Sequence, residues 1–151
     1  MTTGTDGQIC PPSQVQRQLS RLGAQRVPQF LVWKALFGLL VFDLLGCGRN
    51  FAAMHRRVRR WKMRRVSASE DTVDRVCTAI NHASVWYPKR VLCLQRSAVT
   101  TCLLRHCGVS AQMVMGVQNL PFRAHAWTEV NERAINERRN VQRVYGVWER
   151  C

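Results

Sequence analysis

Residues 93–117, CLQRSAVTTCLLRHCGVSAQMVMGV, contain the change of period that decides the fold. Apolar residues recur at helical spacing from Cys93 to Cys107, and Gly108 is typical of a residue that ends a helix in the left-handed conformation. A short run with β character, residues 111–117, follows at once. The stretch therefore predicts a helix that leads directly into a sheet.

Three further segments downstream are predicted to be strands. Residues 124–130 alternate around a histidine, and residues 133–136 and 141–148 are rich in β-forming side chains. Asn131 and Glu132 are expected to form a tight turn, so that the strands on either side of it pair antiparallel. Since helical patterns precede the sheet, this order predicts an α+β fold.

The N-terminal part of the chain, residues 1–84, is expected to form a helical region, and residues 85–151 a separate core. Residues 30–45, FLVWKALFGLLVFDLL, are the most apolar segment. They are shorter than the roughly 20 residues that a membrane span needs, and they include Lys34 and Asp43. A buried or interfacial helix is therefore the expected structure.

Positive charge dominates the composition. The 151 residues include 23 Lys and Arg but only 9 Asp and Glu, which gives a net charge of +14. Residues 49–65 contain many of the cations and no acid. Such a stretch can bind nucleic acid, an anionic membrane or an acidic protein, although many basic helix faces are simply solvated. The charge predicts an anionic partner without identifying it.

The cysteine pattern indicates free thiols. The seven cysteines, at positions 10, 47, 77, 93, 102, 107 and 151, include no CxxC pair, which argues against a zinc ribbon or a thioredoxin-like site. Their number is odd, and the N-terminus lacks the pattern of a secretory signal peptide. We therefore expect reduced thiols in a cytoplasmic protein.

One of these cysteines is placed to act as a nucleophile. Cys93 lies at the predicted helix start, where the positive end of the helix dipole stabilises a thiolate. Cys102 lies nine residues further on and, at about 100° per residue, points to the opposite side of the helix. Cys107 lies near the negative end of the dipole. Among these three, only Cys93 has the setting that a nucleophile needs.

A cysteine nucleophile also needs a base and a group that orients the base. His125 lies in a predicted strand between two alanines, which leave room for another element to approach, whereas His106 is expected to be a structural cation at a helix end. Glu137 returns alongside His125 on the next strand, within one residue of the position opposite to it. Glu129, on the His125 strand and the same face, is the alternative orienting residue.

These residues resemble the transglutaminase-like core of the leader peptidases of bacterial lasso-peptide biosynthesis. The family pattern begins a helix with Cys-Leu-x-x-Ser and closes it on Arg-x-x-Gly, as residues 93–108 do. It continues with Phe-x-Ala-His-Ala-Trp-x-Glu-Val, which matches residues 122–130, and then with Asn-Asp, where this chain has Asn136 and Glu137. The resemblance runs over residues 87–148.

The resemblance implies a papain-like core in which Cys93 is the nucleophile, His125 the general base and Glu137 the orienting residue. The implied activity is that of a cysteine peptidase, which removes the leader from a ribosomally made precursor through an acyl-enzyme, with no cofactor and no metal ion. Two alternatives stay open. One is transglutaminase-type acyl transfer by the same residues, and the other is a non-enzymatic protein that binds nucleic acid or a membrane.

The resemblance also implies partners. These are the precursor's leader and a lasso cyclase that resembles asparagine synthetases. Because the residues before the core lack the strand pairs of a winged-helix leader-binding domain, a separately encoded leader-recognition protein is expected, with residues 30–45 or 49–65 as its docking surface. Nucleic acid is not the expected partner, and a peripheral membrane contact stays open.

Overall fold

The computed structural model describes residues 27–46, 51–65, 71–137 and 141–151. Helices come first in these residues, and an antiparallel sheet with one short helical turn follows. The predicted α+β fold, with a helical region before the sheet, is confirmed. In chain order the elements are α1 (Gln29–Gly46), α2 (Phe51–Arg60), α3 (Thr72–Trp86), α4 (Cys93–His106), β1 (Ala111–Asn119), β2 (Phe122–Val130), β3 (Arg133–Ile135), α5 (Val141–Val144) and β4 (Gly146–Arg150).

The sheet has the strand order β3-β2-β1-β4, and every neighbouring pair is antiparallel. β1 and β2 pair along their whole length, with Gly116 opposite His125. β2 and β3 are joined by Asn131 and Glu132, whose φ angles of 49° and 63° are typical of a two-residue hairpin turn. Because this turn sets the register of β3, it also determines which residues return alongside His125.

Residues 141–148 differ from the continuous strand that the sequence predicts. Residues Val141–Val144 form the helical turn α5, and strand β4 begins only after it. Val141 is buried in a small apolar cluster against the sheet, and the Gln142 amide donates a 2.8 Å hydrogen bond to the Glu129 carboxylate. These tertiary contacts outweigh the β propensity of Val141 and Val144. They cannot be predicted from the local sequence pattern.

The main core lies between the helices and one face of the sheet. α1, α3 and α4 pack against one another, and α4 also packs against β1 and β2. Gly38 permits the close approach of α1 to α4, since a Cβ at this position would lie 2.8 Å from Cγ1 of Val99. One hydrophobic cluster includes residues on both sides of position 84, and the division of the chain there stays a prediction.

α1 is apolar on its outer face as well as on the face that packs in the core. Its outer residues recur at helical spacing, and each is between 45% and 74% exposed: Phe30, Trp33, Phe37, Leu40 and Leu44, which we call the outer stripe. An exposed apolar row of this length is typical of a surface that meets a partner. Within the described ranges, none of the helices has the length and hydropathy required to cross a lipid bilayer.

Candidate active site

Cys93 is the first residue of α4. The residue before it, Leu92, is the N-cap; it is extended, at φ −77° and ψ 151°, and its side chain has no oxygen that could accept from the first turn. Backbone N–H groups at the start of α4 therefore remain for the Cys93 thiol or for a substrate beside it. The nucleophile predicted from the sequence lies at this position.

The imidazole of His125, on β2, meets the carboxylate of Glu137, which lies just after β3. Its Nε2 is 3.4 Å from Oε2 of Glu137, and 23% and 19% of the two side chains are exposed. Asn136, at φ 57°, turns the chain sharply between β3 and Glu137. An Nε2–H that points toward Glu137 leaves Nδ1 as the unprotonated nitrogen, and this is the tautomer that a general base needs.

Two aromatic side chains lie against the imidazole. The ring centroid of Tyr145 is 5.3 Å from that of His125. The indole of Trp127 stacks on the imidazole at 6.3 Å, with an interplanar angle of 21°. Because both contacts oppose rotation of the ring, they support the orientation in which His125 faces Glu137.

Cys93 and His125 line one cavity of about 190 Å³. The Cys93 thiol and the His125 imidazole thus lie at one concave surface, and the Glu137 carboxylate contacts the imidazole. The rest of the wall is largely apolar, so it is suited to an uncharged segment of a peptide. This part of the wall is formed by Leu94, Met115, Gly116, Val117, Ala124, Ala126 and Trp148.

Residues 38–149 match the family model described as the transglutaminase-like superfamily. The chain belongs to this superfamily. The match extends from the middle of α1 into β4, and it includes Cys93, His125 and Glu137. Transglutaminase-like proteins are typically cysteine peptidases or acyltransferases. No curated protein and no solved structure was found to match the sequence.

Glu129, the alternative orienting residue, has other partners in this transglutaminase-like fold. Its carboxylate, 4% exposed, accepts hydrogen bonds from the Trp127 indole N–H at 2.9 Å and from the Gln142 amide at 2.8 Å. Nε of Arg150 lies 3.4 Å away on its other oxygen. Glu129 thus ties β2 to α5 and β4, and Glu137 is the carboxylate that the structure brings to His125.

Three of the other described cysteines, Cys77, Cys102 and Cys151, are free thiols in surroundings that suppress their reactivity. Burial raises the pKa of Cys102 to about 12. Burial likewise raises the pKa of Cys77 and that of Cys151 to about 11. All three thiols are therefore protonated at neutral pH. Because the thiolate is the nucleophilic form, these thiols react slowly. Cys10 and Cys47 lie outside the described residues.

A larger cavity, of about 580 Å³, lies between α1, α2 and α4. Cys102 and His106 both line it, but the Cys102 thiol is protonated, and the described residues of this wall include no carboxylate. Burial lowers the pKa of His106, and the positive charges of Lys34 and Arg64 lower it further. The lowered pKa favours the neutral imidazole over the cation expected at this helix end.

Sequence reasoning did not identify the side chains that surround the catalytic candidates. Trp148 lines the small cavity although 68% of it is exposed, and Tyr145 contacts His125. Both lie in the segment that was assigned to a single strand. A tryptophan at the end of the resemblance is the one local signal that could have indicated a role for Trp148.

Proposed function

We propose that this transglutaminase-like protein is a cysteine peptidase that removes the leader of a lasso-peptide precursor in the cytoplasm. The observation that carries the proposal is the shared cavity of Cys93 and His125, with Glu137 at Nε2 of the imidazole. The resemblance of residues 93–108 and 122–130 to the leader peptidases supports the choice of substrate. The free thiols of the described residues suit a reducing compartment.

The proposed reaction has two acyl-transfer steps. Nδ1 of His125 accepts the proton of the Cys93 thiol, and the thiolate attacks the carbonyl carbon at the end of the leader. The backbone N–H of Cys93 stabilises the oxyanion of the tetrahedral intermediate. His125 then gives its proton to the departing amine, which frees the α-amino group of the core peptide and leaves a thioester on Cys93.

Water completes the cycle. His125 accepts a proton from the water as its oxygen attacks the thioester carbon, and the leader departs as a carboxylic acid. The proton returns to the Cys93 sulfur, so thiol and imidazole are regenerated. Throughout, the Glu137 carboxylate stabilises the imidazolium and holds Nδ1 toward Cys93.

The mass of the products tests this function against the acyltransferase alternative. We expect incubation with the precursor to yield two peptides, a free leader and a core with a new α-amine. In water enriched in heavy oxygen, the new carboxyl group of the leader should carry the label. A joined product that has lost ammonia would instead indicate transglutaminase-type transfer to an amine. Binding to DNA or anionic vesicles without any turnover, retained in Cys93→Ala, would favour the non-enzymatic alternative.

We also propose that a separately encoded leader-recognition protein docks on the outer stripe. The larger cavity adjoins this stripe and is lined by Trp33, Phe37 and Trp61 together with Lys34 and Arg57. Apolar contacts beside the positive charges of Lys34 and Arg57 favour a partner helix with an apolar row flanked by carboxylates. This cavity includes Cys102, which lies on the opposite side of α4 from Cys93. A partner docked there therefore leaves the small cavity open.

Cleavage with and without the recognition protein tests the docking surface. We expect the partner to raise turnover at micromolar precursor by roughly 10²-fold, since it increases the local concentration of the scissile bond. Trp33→Ser combined with Phe37→Ser should abolish this increase and retain the slow partner-free reaction. Val85→Ser, a matched change at an 83% exposed site on α3, should retain both.

Two outcomes would contradict the docking proposal. Rapid, leader-dependent cleavage by this chain alone would show that it recognises the leader itself. Loss of anionic-vesicle binding in the Trp33→Ser and Phe37→Ser variant, with the partner's effect unchanged, would assign the outer stripe to a membrane surface.

A further inference from the structure

Asp43, a buried acid of α1, is hydrogen-bonded to the segment that leads to Cys93. Only 8% of Asp43 is exposed. Its Oδ2 accepts hydrogen bonds from the Tyr87 hydroxyl at 3.0 Å and from the Lys89 ammonium at 2.9 Å. Its Oδ1 accepts a third from the Gln95 side-chain amide at 3.1 Å. One carboxylate thus joins α1 to the loop before α4 and to the first turn of α4.

The Gln95 side chain extends this connection to the start of the catalytic helix. Its Nε2 donates to Asp43, and its Oε1 accepts from the backbone N–H of Leu92 at 3.1 Å. If the Gln95 amide were flipped, its oxygen would face the Asp43 carboxylate and its NH₂ group would face the Leu92 N–H, and neither pair could form a hydrogen bond. The negative charge of Asp43 therefore selects the orientation in which Gln95 binds the N-cap residue, and Cys93 is the next residue.

We propose that Asp43 is a positioning residue for Cys93, an inference that rests on the proposed role of Cys93 as the nucleophile. Asp43 holds Gln95, Gln95 occupies the Leu92 N–H, and the N–H of Cys93 is left to face the substrate. The first helix of the described chain is thereby part of the catalytic apparatus, although it contributes no atom to the small cavity.

The charge state of Asp43 agrees with this role. The hydrogen bond from the Lys89 ammonium, followed by that from the Tyr87 hydroxyl, holds the pKa of Asp43 below its usual value. The carboxylate is therefore ionised at neutral pH. An ionised Asp43 can only accept, and this is why the Gln95 amide must present its NH₂ group to it.

Two single substitutions and one double substitution test the proposal. Asp43→Ala should lower kcat by roughly 10²-fold with little change in KM, the effect of misplacing a reacting group by about an ångström. Gln95→Glu should lower kcat at least as far, because it sets two carboxylates face to face. Asp43→Asn added to Gln95→Glu should restore kcat to within about tenfold, since the new amide can donate to the new carboxylate, which still accepts from Leu92.

A stability control separates positioning from general weakening of the fold. Val76→Ala removes volume from a fully buried site on α3 and should lower Tm while leaving kcat at 25 °C unchanged. The rate at which iodoacetamide labels Cys93, followed by peptide mapping, should fall in Asp43→Ala and Gln95→Glu, recover in the double variant and stay at the wild-type level in Val76→Ala.

The result that would overturn the proposal is a normal kcat and a normal labelling rate of Cys93 in Asp43→Ala, whatever its Tm. Failure of the double variant to recover either quantity would overturn it as well. The labelling rate also separates this inference from the proposed function. If the wild-type chain cleaves no precursor but Cys93 labelling still depends on Asp43 as described, the choice of substrate fails and the positioning role stands.

Discussion

Cys93→Ala is expected to lower kcat for precursor cleavage by roughly 10⁴-fold or more, because removal of the proposed nucleophile prevents the acyl-enzyme from forming. The control variants are Cys102→Ala and Cys107→Ala, which should retain turnover. Cys102 is buried and protonated, and Cys107 is the residue that caps the opposite end of α4 from Cys93. Single-turnover cleavage of the precursor, followed by mass spectrometry, measures all three.

Alkylation tests the same assignment without a substrate. Brief treatment with iodoacetamide at neutral pH should modify Cys93 ahead of Cys77, Cys102 and Cys151, since burial raises the pKa of each of these three thiols to about 11 or 12. Labelling of Cys102 or Cys107 while Cys93 stays unmodified would contradict the assignment of Cys93 as the nucleophile.

The second large effect is expected at the imidazole and its carboxylate. His125→Ala should reduce kcat almost as far as loss of the nucleophile, because thiol and base act as a unit. Glu137→Ala should cost less, by about one to two orders of magnitude, since nucleophile and base remain and only the orientation of the base and the stability of the imidazolium are lost. Glu137→Asp is expected to be tolerated, as it restores the residue usual in the leader peptidases.

Glu129→Ala is the matched control, because it removes a second carboxylate from the same part of the sheet. It leaves the buried Trp127 indole N–H without its acceptor, which should lower the free energy of unfolding by about 1–3 kcal/mol. Activity at 25 °C should persist. Full activity in Glu137→Ala together with its loss in Glu129→Ala, at equal fractions of folded protein, would transfer the orienting role to Glu129.

The local signals around Cys93 were sufficient to predict its helix. A proline-containing loop, apolar spacing from Cys93 and a glycine at position 108 predicted a helix that begins at the thiol. The structure has this helix, and Gly108 ends it at φ 84°. Such features are predictable because each acts within one turn of the chain, through backbone sterics and the helix dipole.

The turn after β2 was predictable for the same reason, and it carried information about the site. Asn131 and Glu132 both adopt positive φ in this two-residue turn, and asparagine is among the residues that tolerate that region. Once that turn is given, antiparallel pairing brings the residues near position 138 back to His125. The sequence could therefore propose Glu137 as a partner, although it could not choose between Glu137 and Glu129.

Only the tertiary structure separated these two carboxylates. Both are close to His125 along the chain or across the strand, but α5 and β4 surround Glu129 with donors, whereas the turn at Asn136 directs Glu137 to Nε2 of the imidazole. The donors come from segments more than ten residues away. Their effect depends on how the sheet closes, and no periodic pattern records it.

The same limit applies to Asp43, which in the sequence is one charge that shortens an apolar run. Its partners Tyr87, Lys89 and Gln95 lie 44 to 52 residues further along the chain. The sequence by itself determined the order of helices and strands, apart from the helical turn Val141–Val144, and the position of the thiol and imidazole within them, because those follow from local backbone preferences. Which buried groups surround that thiol and imidazole was decided by packing between distant segments, since burial makes each polar group depend on whichever partner the fold brings to it.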